Sequence, residues 1–241
     1  MRICANIGAM AGNLKAILAE FICAFAFVFA GAGAVCVDAL SGGRLGWTGI
    51  ALAHGLAAAV LASTYGRVSG AQFNPALTLA LFANGRQNVV LTVFFLMAQL
   101  LGATLAAVFL KAALHTRPEV LTGAPFLGAC DLSSVGYKAA TLIEAIGTFF
   151  VVTAVYATTI RSGEREDSAP WVLGAAYAFG VLVCGPLTGG ALNPARAFGP
   201  ELASGHWAFW WVYWVGPLAG AAAAALLYEH LYLDKTAKEP L

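Results

Sequence analysis

The sequence predicts an all-α membrane protein with six transmembrane helices, two re-entrant half-helices and an inverted internal repeat. Apolar residues make up 60% of the 241-residue chain and charged residues only 10%, which is far from the balance of a soluble domain. Long apolar stretches run through the whole sequence, and the tripeptide Asn-Pro-Ala occurs twice, at 74–76 and at 193–195. Together these features indicate a chain that is embedded in the membrane along most of its length.

Six stretches are long and apolar enough to cross a bilayer, which requires about 20 apolar residues per helix. We place them roughly at 14–37, 46–66, 88–113, 137–160, 170–186 and 207–232. The first stretch is longer than the ~7–15 apolar residues of a signal peptide, so we expect no cleaved signal sequence. The tripeptides lie in shorter segments, about 69–85 and 186–205, which are too short to span and are therefore expected to be re-entrant.

An internal repeat relates residues 14–113 to residues 137–232. Glu20 and Glu144 lie early in the first and fourth stretches, and the two tripeptides are 119 residues apart. Each half holds three spans, and this odd number forces the second half to lie upside down relative to the first. The two half-helices then enter from opposite faces and meet, N-terminus to N-terminus, near the midplane. We therefore expect one transmembrane domain over residues 1–241.

The distribution of charge predicts the orientation. With an even number of spans, both termini lie on one side of the membrane. That side carries eight Lys and Arg residues against five on the other, which predicts cytoplasmic termini. The net charge is +1, so nucleic acid is not an expected partner. The five cysteines show no C-x-x-C spacing, and the sequence leaves open a disulfide between Cys36 and Cys130.

The two tripeptides also predict a chemistry. Asn is a favoured N-cap and Pro is favoured at the first helical position, so Asn74-Pro75-Ala76 and Asn193-Pro194-Ala195 should each begin a helix. A helix N-terminus presents unpaired N–H groups and about half a positive charge. Two such ends face to face repel cations, and the asparagine amides can point N–H donors into a lumen. This pattern predicts passage of small neutral hydrogen-bonding molecules with exclusion of protons.

The residues around the second tripeptide carry a family resemblance. The run Asn193-Pro194-Ala195-Arg196-Ala197-Phe198-Gly199-Pro200, together with the first tripeptide and the two glutamates, resembles the aquaporins, or major intrinsic protein family. The resemblance covers nearly the whole chain and implies a passive channel for water. It also implies a homotetramer in the lipid bilayer, with one pore in each subunit.

The resemblance further implies a second constriction toward the non-cytoplasmic mouth. Counting from the tripeptides places its four residues, which we call the outer cluster, at His54, Val181, Gly190 and Arg196. This set resembles the tonoplast intrinsic branch, some of whose members pass ammonia as well as water. Two alternatives stay open, namely that His54 is a hydrogen-bonded core residue and that Arg196 only extends to the surface.

Glu20 and Glu144 are charged groups inside predicted spans. A carboxylate in such a place can accept hydrogen bonds from the backbone N–H groups of a re-entrant loop. The resemblance implies the same structural support, and we expect Gln99 to have a similar role. A proton relay through the two glutamates stays open, and it would indicate a coupled transporter.

Other function classes remain to be distinguished. Within the family the alternative is a facilitator for glycerol or urea, although an Asp usually follows the filter arginine there and Ala197 follows Arg196 here. A secondary transporter also has inverted repeats and broken helices, but it would depend on an ion gradient. An enzyme is not expected, because the sequence shows no H-E-x-x-H motif and no nucleophile–base pair, and its four histidines are scattered.

The expected environment follows from these interpretations. We expect no cofactor and no metal. The plasma (inner) membrane is the expected location, and the vacuolar membrane is the alternative.

Overall fold

The computed structural model describes residues 2–121, 123, 125–161 and 166–233, with side chains from residue 13 onward. The regular structure over these residues is helical. The helices are α1 (Arg2–Leu40), α2 (Gly46–Ser69), α3 (Pro75–Ala83), α4 (Val89–Ala113), α5 (Pro118–Leu121), α6 (Tyr137–Val155), α7 (Ala169–Thr188), α8 (Pro194–Ser204) and α9 (Val212–Leu227). Single π-helical turns extend α6 through Tyr156–Ile160 and α9 through Tyr228–Tyr232.

The long helices match the predicted spans. By length and composition, the helices long and apolar enough to cross a membrane are Asn13–Leu40, Gly46–Ser69, Val89–Ala113, Tyr137–Ile160 and Ala169–Thr188. The sixth predicted span corresponds to α9, in which 16 α-helical residues continue into five π-helical ones. At about 1.5 Å per residue, the two pieces cover the ~30 Å of a hydrocarbon core. The predicted fold class is confirmed.

The first and the last predicted spans differ from the structure in their bounds. The first helix is longer at both ends, and the last begins at Val212 instead of residue 207. Gly205 ends α8 in the left-handed conformation (φ 78°), and the chain then turns, with Phe209 at φ 49°. The residues of this turn are mostly aromatic, which made them count as apolar span, although aromatic residues also concentrate at membrane interfaces.

The same backbone turn leads into both half-helices. α2 and α7 each end at a left-handed glycine, Gly70 (φ 88°) and Gly189 (φ 82°), a common helix ending. Three residues later, Phe73 (φ 34°) and Leu192 (φ 53°) are left-handed although neither is glycine. Such residues cost roughly 1–3 kcal/mol and persist only where the surroundings impose them. Each stands immediately before one of the two capping asparagines.

Small residues let the long helices approach closely. α2 and α7 cross where a Cβ on Gly55 would lie 2.7 Å from the Gly174 carbonyl oxygen. A Cβ on Gly102 of α4 would collide with the Phe21 carbonyl oxygen of α1, and one on Gly220 of α9 would collide with the backbone of α6. Close contacts of this kind are typical of membrane helix packing. They fix the long helices that surround α3 and α8.

A buried ion pair ties the end of α3 to the end of α9. Arg86 Nε lies 2.9 Å from Glu229 Oε1, and Arg86 Nη2 lies 3.1 Å from Glu229 Oε2, with the two side chains 6% and 8% exposed. The hydrogen bonds that Arg86 donates to Glu229 raise the pKa of the guanidinium above its ordinary value. The backbone N–H of Arg86 also donates to the Leu81 carbonyl at 2.9 Å, so this residue closes α3 as well.

Candidate functional site

A buried carboxylate holds the loop that leads into α3. Glu20 Oε1 accepts hydrogen bonds from Ser69 Oγ (2.6 Å) and the Gln72 backbone N–H (2.8 Å). Its Oε2 accepts from the Phe73 backbone N–H (2.6 Å) and from Gln99 Nε2 (2.7 Å). Backbone groups away from water need partners, and Glu20 supplies them where the loop has no helical ones. Gln99, for which the sequence predicts a similar supporting role, donates through Nε2 to this carboxylate and to Thr78 Oγ1.

A second carboxylate holds the loop that leads into α8. Glu144 Oε1 accepts from Thr188 Oγ1 (2.6 Å) and the Ala191 N–H (3.0 Å), and its Oε2 accepts from the Leu192 N–H (2.7 Å). These three donors stand at positions equivalent to three of the donors of Glu20. Both glutamates are fully buried, and both bind the strained residue immediately before the half-helix.

The N-terminal ends of α3 and α8 meet in the interior of the molecule. Asn74 Oδ1 accepts from the Ala76 N–H at 2.9 Å, and Asn193 Oδ1 accepts from the Ala195 N–H at 2.9 Å. Each asparagine is extended and is followed by a proline at the first helical position. Both tripeptides thus form the capped helix starts that the sequence indicates.

Each asparagine amide donates to the opposite loop. Asn74 Nδ2 donates to the Leu192 carbonyl oxygen (2.9 Å) and to Tyr177 Oη (3.0 Å), and Asn193 Nδ2 donates to the Phe73 carbonyl oxygen (2.8 Å). The sequence predicted amide donors that face a lumen. In the structure, protein oxygens accept three of these N–H bonds, so the two half-helix starts are joined crosswise.

Arg196 and His54 of the outer cluster form a direct contact. Arg196 is 1% exposed and does not extend to the surface. Its Nε donates to His54 Nε2 at 3.2 Å, and His54 Nδ1 lies 2.9 Å from the Ile50 carbonyl oxygen. A carbonyl can only accept, so Nδ1 carries the imidazole hydrogen and Nε2 is the acceptor. The backbone of α2 therefore sets the tautomer that receives the arginine.

Val181 and Gly190, the other members of the outer cluster, lie against each other. Val181 is fully buried, and a Cβ on Gly190 would lie 3.4 Å from the Val181 Cα. Gly190 is also left-handed (φ 60°), a conformation that favours glycine. This side of the outer cluster therefore has one aliphatic wall and one wall without a side chain.

The loop between α5 and α6 also contacts the outer cluster. Arg196 Nη1 donates to the Gly128 carbonyl oxygen (2.8 Å) and lies 2.7 Å from Cys130 Sγ. The thiols of Cys36 and Cys130 are both free, so the disulfide that the sequence left open is not formed. Neither the spacing nor the composition of the sequence identifies Gly128 and Cys130 as contacts of Arg196, because Gly128 contributes only its backbone carbonyl oxygen.

This loop segment is held from its outer side by a histidine. The His206 ring stacks on the Phe126 ring with centroids 3.9 Å apart and planes 6° apart. His206 Nε2 also lies 2.7 Å from Asp131 Oδ2. The backbone of Phe126 is left-handed (φ 49°), which is unfavourable for a residue other than glycine. The contacts with His206 therefore help to hold the loop segment in the conformation that contacts Arg196.

A cavity opens at the far end of α2. It has a volume of ≈ 670 Å³, and its lining includes Arg67, Ser69 and Gln72. Arg67 is 13 residues beyond His54 on the same helix, or about 20 Å along its axis. The cavity and the outer cluster thus lie at opposite ends of the space in which α3 and α8 meet. Over the described residues, no group of three His, Cys, Asp or Glu side chains is placed to hold a metal.

Two capped half-helices that meet inside a bundle of long apolar helices define a membrane channel of the aquaporin fold. The chain belongs to the major intrinsic protein family, whose model matches residues 9–228. It is 42% identical over 237 residues to aquaporin TIP4-4 of Zea mays, covering 96% of this chain and 92% of that protein. It is 38% identical over 241 residues to probable aquaporin TIP3-2 of Arabidopsis thaliana, covering 95% and 87%.

A solved structure agrees with this assignment at the level of the fold. The X-ray structure of the aquaglyceroporin from Plasmodium falciparum superposes with a TM-score of 0.79 at 22% identity, covering 91% of this chain and 96% of that one. The family and its relatives identify the chain as a passive water channel in a membrane.

Proposed function

We propose that ammonia as well as water crosses the bilayer through this chain in single file, past the outer cluster and between the starts of α3 and α8, while ions and protons are excluded. The observation that carries the proposal is the buried contact between Arg196 and His54. Ammonia is similar in size to water and has one lone pair, which an arginine N–H can bind.

The charge of the site supports the exclusion of ions. Arg196 is a buried cation, and two half-helices present their positive ends nearby. Ammonium and hydronium would approach this positive region without a solvation shell, whereas a neutral molecule would meet hydrogen-bond donors only. We infer that selection acts on charge first and on size second.

Stopped-flow measurements on proteoliposomes test the proposal. Ammonia entry is followed with an enclosed pH dye and water flow by light scattering, for the native chain and for His54→Phe. Phenylalanine removes the acceptor of Arg196 Nε and adds bulk, so we expect the ratio of ammonia to water permeability to fall roughly 2- to 10-fold, the worth of one hydrogen bond.

His115→Phe is the matched control, because His115 lies exposed at the end of α4 and its replacement should leave the ratio unchanged. Ammonia entry into native proteoliposomes no faster than into empty vesicles would overturn the ammonia part of the proposal. Urea or glycerol flux comparable to water flux would instead favour the solute-facilitator alternative. A dependence on a proton or sodium gradient would favour a secondary transporter.

We further propose a homotetramer with cytoplasmic termini and no enzymatic activity. An apolar groove between α1 and α2, lined by Ala26, Ala30, Ala53 and Ala57 with larger aliphatic residues, offers the small residues that suit contact between membrane helices. Native mass spectrometry of the detergent-solubilised protein tests the oligomer.

The sequence led us to expect the plasma membrane. The resemblance to the tonoplast intrinsic branch favours the vacuolar membrane instead, and imaging of a tagged chain distinguishes the two locations.

A further inference from the structure

Tyr177 occupies a position that the sequence analysis did not single out. It lies on α7, four residues before Val181, and residues spaced by four share a helix face. The side chain is 1% exposed. Tyr177 therefore stands on the face of α7 that carries the outer cluster, one turn closer to the starts of α3 and α8.

The hydroxyl of Tyr177 reaches one of the capping asparagines. Asn74 Nδ2 donates to Tyr177 Oη at 3.0 Å. The other N–H of Asn74 is taken by the Leu192 carbonyl oxygen, and Asn193 donates to the Phe73 carbonyl oxygen. Protein oxygens thus accept from three of the four amide N–H groups that were expected to meet a passing water.

Aromatic rings connect Tyr177 to the outer cluster. Its ring centroid lies 4.8 Å from that of Phe27 and 5.8 Å from that of Phe73. Phe27 in turn lies 5.5 Å from the His54 ring in an edge-on arrangement. The tyrosine is therefore part of an aromatic wall that begins at the His54 ring and ends at the Tyr177 hydroxyl.

We propose that Tyr177 is a permeability-determining residue at the centre of the pore. Its hydroxyl accepts a hydrogen bond from an asparagine amide and donates one to the permeating molecules, as a bound water molecule would. The proposal rests on the path assigned above between the starts of α3 and α8. It adds a residue and a physical role that the outer cluster and the tripeptides do not supply.

The chemistry of a phenol gives this role its direction. A tyrosine hydroxyl has one hydrogen to donate and lone pairs with which to accept. The Asn74 amide donates to the phenol oxygen, which leaves the O–H of Tyr177 to donate toward the lumen. A water that binds there must accept, and the hydroxyl cannot take up a proton from it. Tyr177 thus narrows the centre of the pore and preserves the donor polarity that excludes protons.

Two substitutions at this one position are expected to have opposite effects. Tyr177→Phe keeps the ring but removes the donor, so a water must cross the centre without a hydrogen-bond partner. We expect the water permeability per channel to fall about two- to tenfold, the factor for one lost hydrogen bond. Tyr177→Val removes the ring and opens the asparagine amides to water, so we expect the permeability per channel to rise by a factor in the same range.

The assay is stopped-flow shrinkage of proteoliposomes with the number of incorporated channels counted. The activation energy of water flow, taken from its temperature dependence, does not depend on that number, and it should rise for Tyr177→Phe and not for Tyr177→Val. Tyr156→Phe is the control, because Tyr156 is equally buried but its ring lies against Tyr228 beyond the end of α9, with centroids 5.8 Å apart, so it should leave both quantities unchanged.

The outcomes separate this inference from the proposed path. If the native chain gives no water flow above that of empty vesicles, the path itself is wrong. If the native chain conducts and both Tyr177 variants match it, or both fall together with an unchanged activation energy, Tyr177 is a packing residue and the inference is overturned.

Discussion

Replacing Glu144 by glutamine tests whether the buried carboxylates are structural supports or proton carriers. The substitution keeps the size of the side chain and removes its charge. Of the two carboxylate oxygens, Oε1 accepts two hydrogen bonds and Oε2 accepts one, from the Leu192 N–H. In Glu144→Gln the amide oxygen can keep the first two. The amide nitrogen then faces the Leu192 N–H, donor against donor.

The magnitude follows from that one lost bond. A hydrogen bond to a charged group contributes about 1.5–3 kcal/mol, and a buried donor left without a partner costs a similar amount. We therefore expect Glu144→Gln to lower the free energy of unfolding by about 1.5–3 kcal/mol. For a chain of this length that corresponds to a fall in Tm of roughly 3–12 °C. Leu192 is also left-handed, so its N–H has little freedom to find another acceptor.

The repeat supplies a matched second variant. In Glu20→Gln the amide nitrogen faces the Phe73 N–H. Gln99, whose Oε1 has no partner, can rotate its amide group so that this oxygen accepts from the new amide nitrogen. One backbone bond is lost in each variant, so the two falls in Tm should be similar. Thermal unfolding in detergent, followed by tryptophan fluorescence, measures both. An unchanged Tm in both variants, accompanied by loss of proton-dependent transport, would refute structural support and favour a proton relay.

Three further predictions concern other contacts. Glu229→Ala removes the carboxylate that pairs with Arg86 in a buried site, so the free energy of unfolding should fall by about 3–5 kcal/mol in a thermal unfolding assay. A fall below about 1 kcal/mol would mean that the ion pair is solvated. His206→Ala frees the loop segment that holds the outer cluster, so the ratio of glycerol to water permeability in proteoliposomes should rise, and an unchanged ratio would contradict this clamp. Gly102→Ala places a methyl group against the backbone of α1 and should cost about 1–3 kcal/mol. Gly33→Ala within α1, whose Cβ would meet only the Leu110 side chain at 3.5 Å, should not be destabilising in the same unfolding assay.

The sequence predicted the fold because its signals are local. Span length, the Asn-Pro start of a helix and the closing glycines each act within a few residues. The last span was misplaced where aromatic residues form a turn before Val212, because an apolar count does not distinguish a span from an interface. The strained backbone at Phe73 and Leu192 gave no signal at all, since neither residue type favours that conformation.

The site was predicted less completely than the fold. The family resemblance, carried over by counting from the tripeptides, pointed to His54 and Arg196, and the structure places these two side chains in direct contact. Their partners in the loop could not be found in this way, because Gly128 contributes a carbonyl oxygen and every residue has one. Tyr177 has a weak signal, a tyrosine one turn from Val181 on the same face, but only coordinates show its hydroxyl meeting Asn74.

The crosswise bonds between the two asparagines and the opposite loops have a kinetic consequence. Asn74 holds the segment before α8, and Asn193 holds the segment before α3, so neither half can swing away without breaking a bond that belongs to the other. A transporter that opens alternately to each side of the membrane requires its two halves to separate in this way once per cycle. Here the central walls stay where they are while molecules move past them, so flux should grow in proportion to the gradient and show no turnover limit.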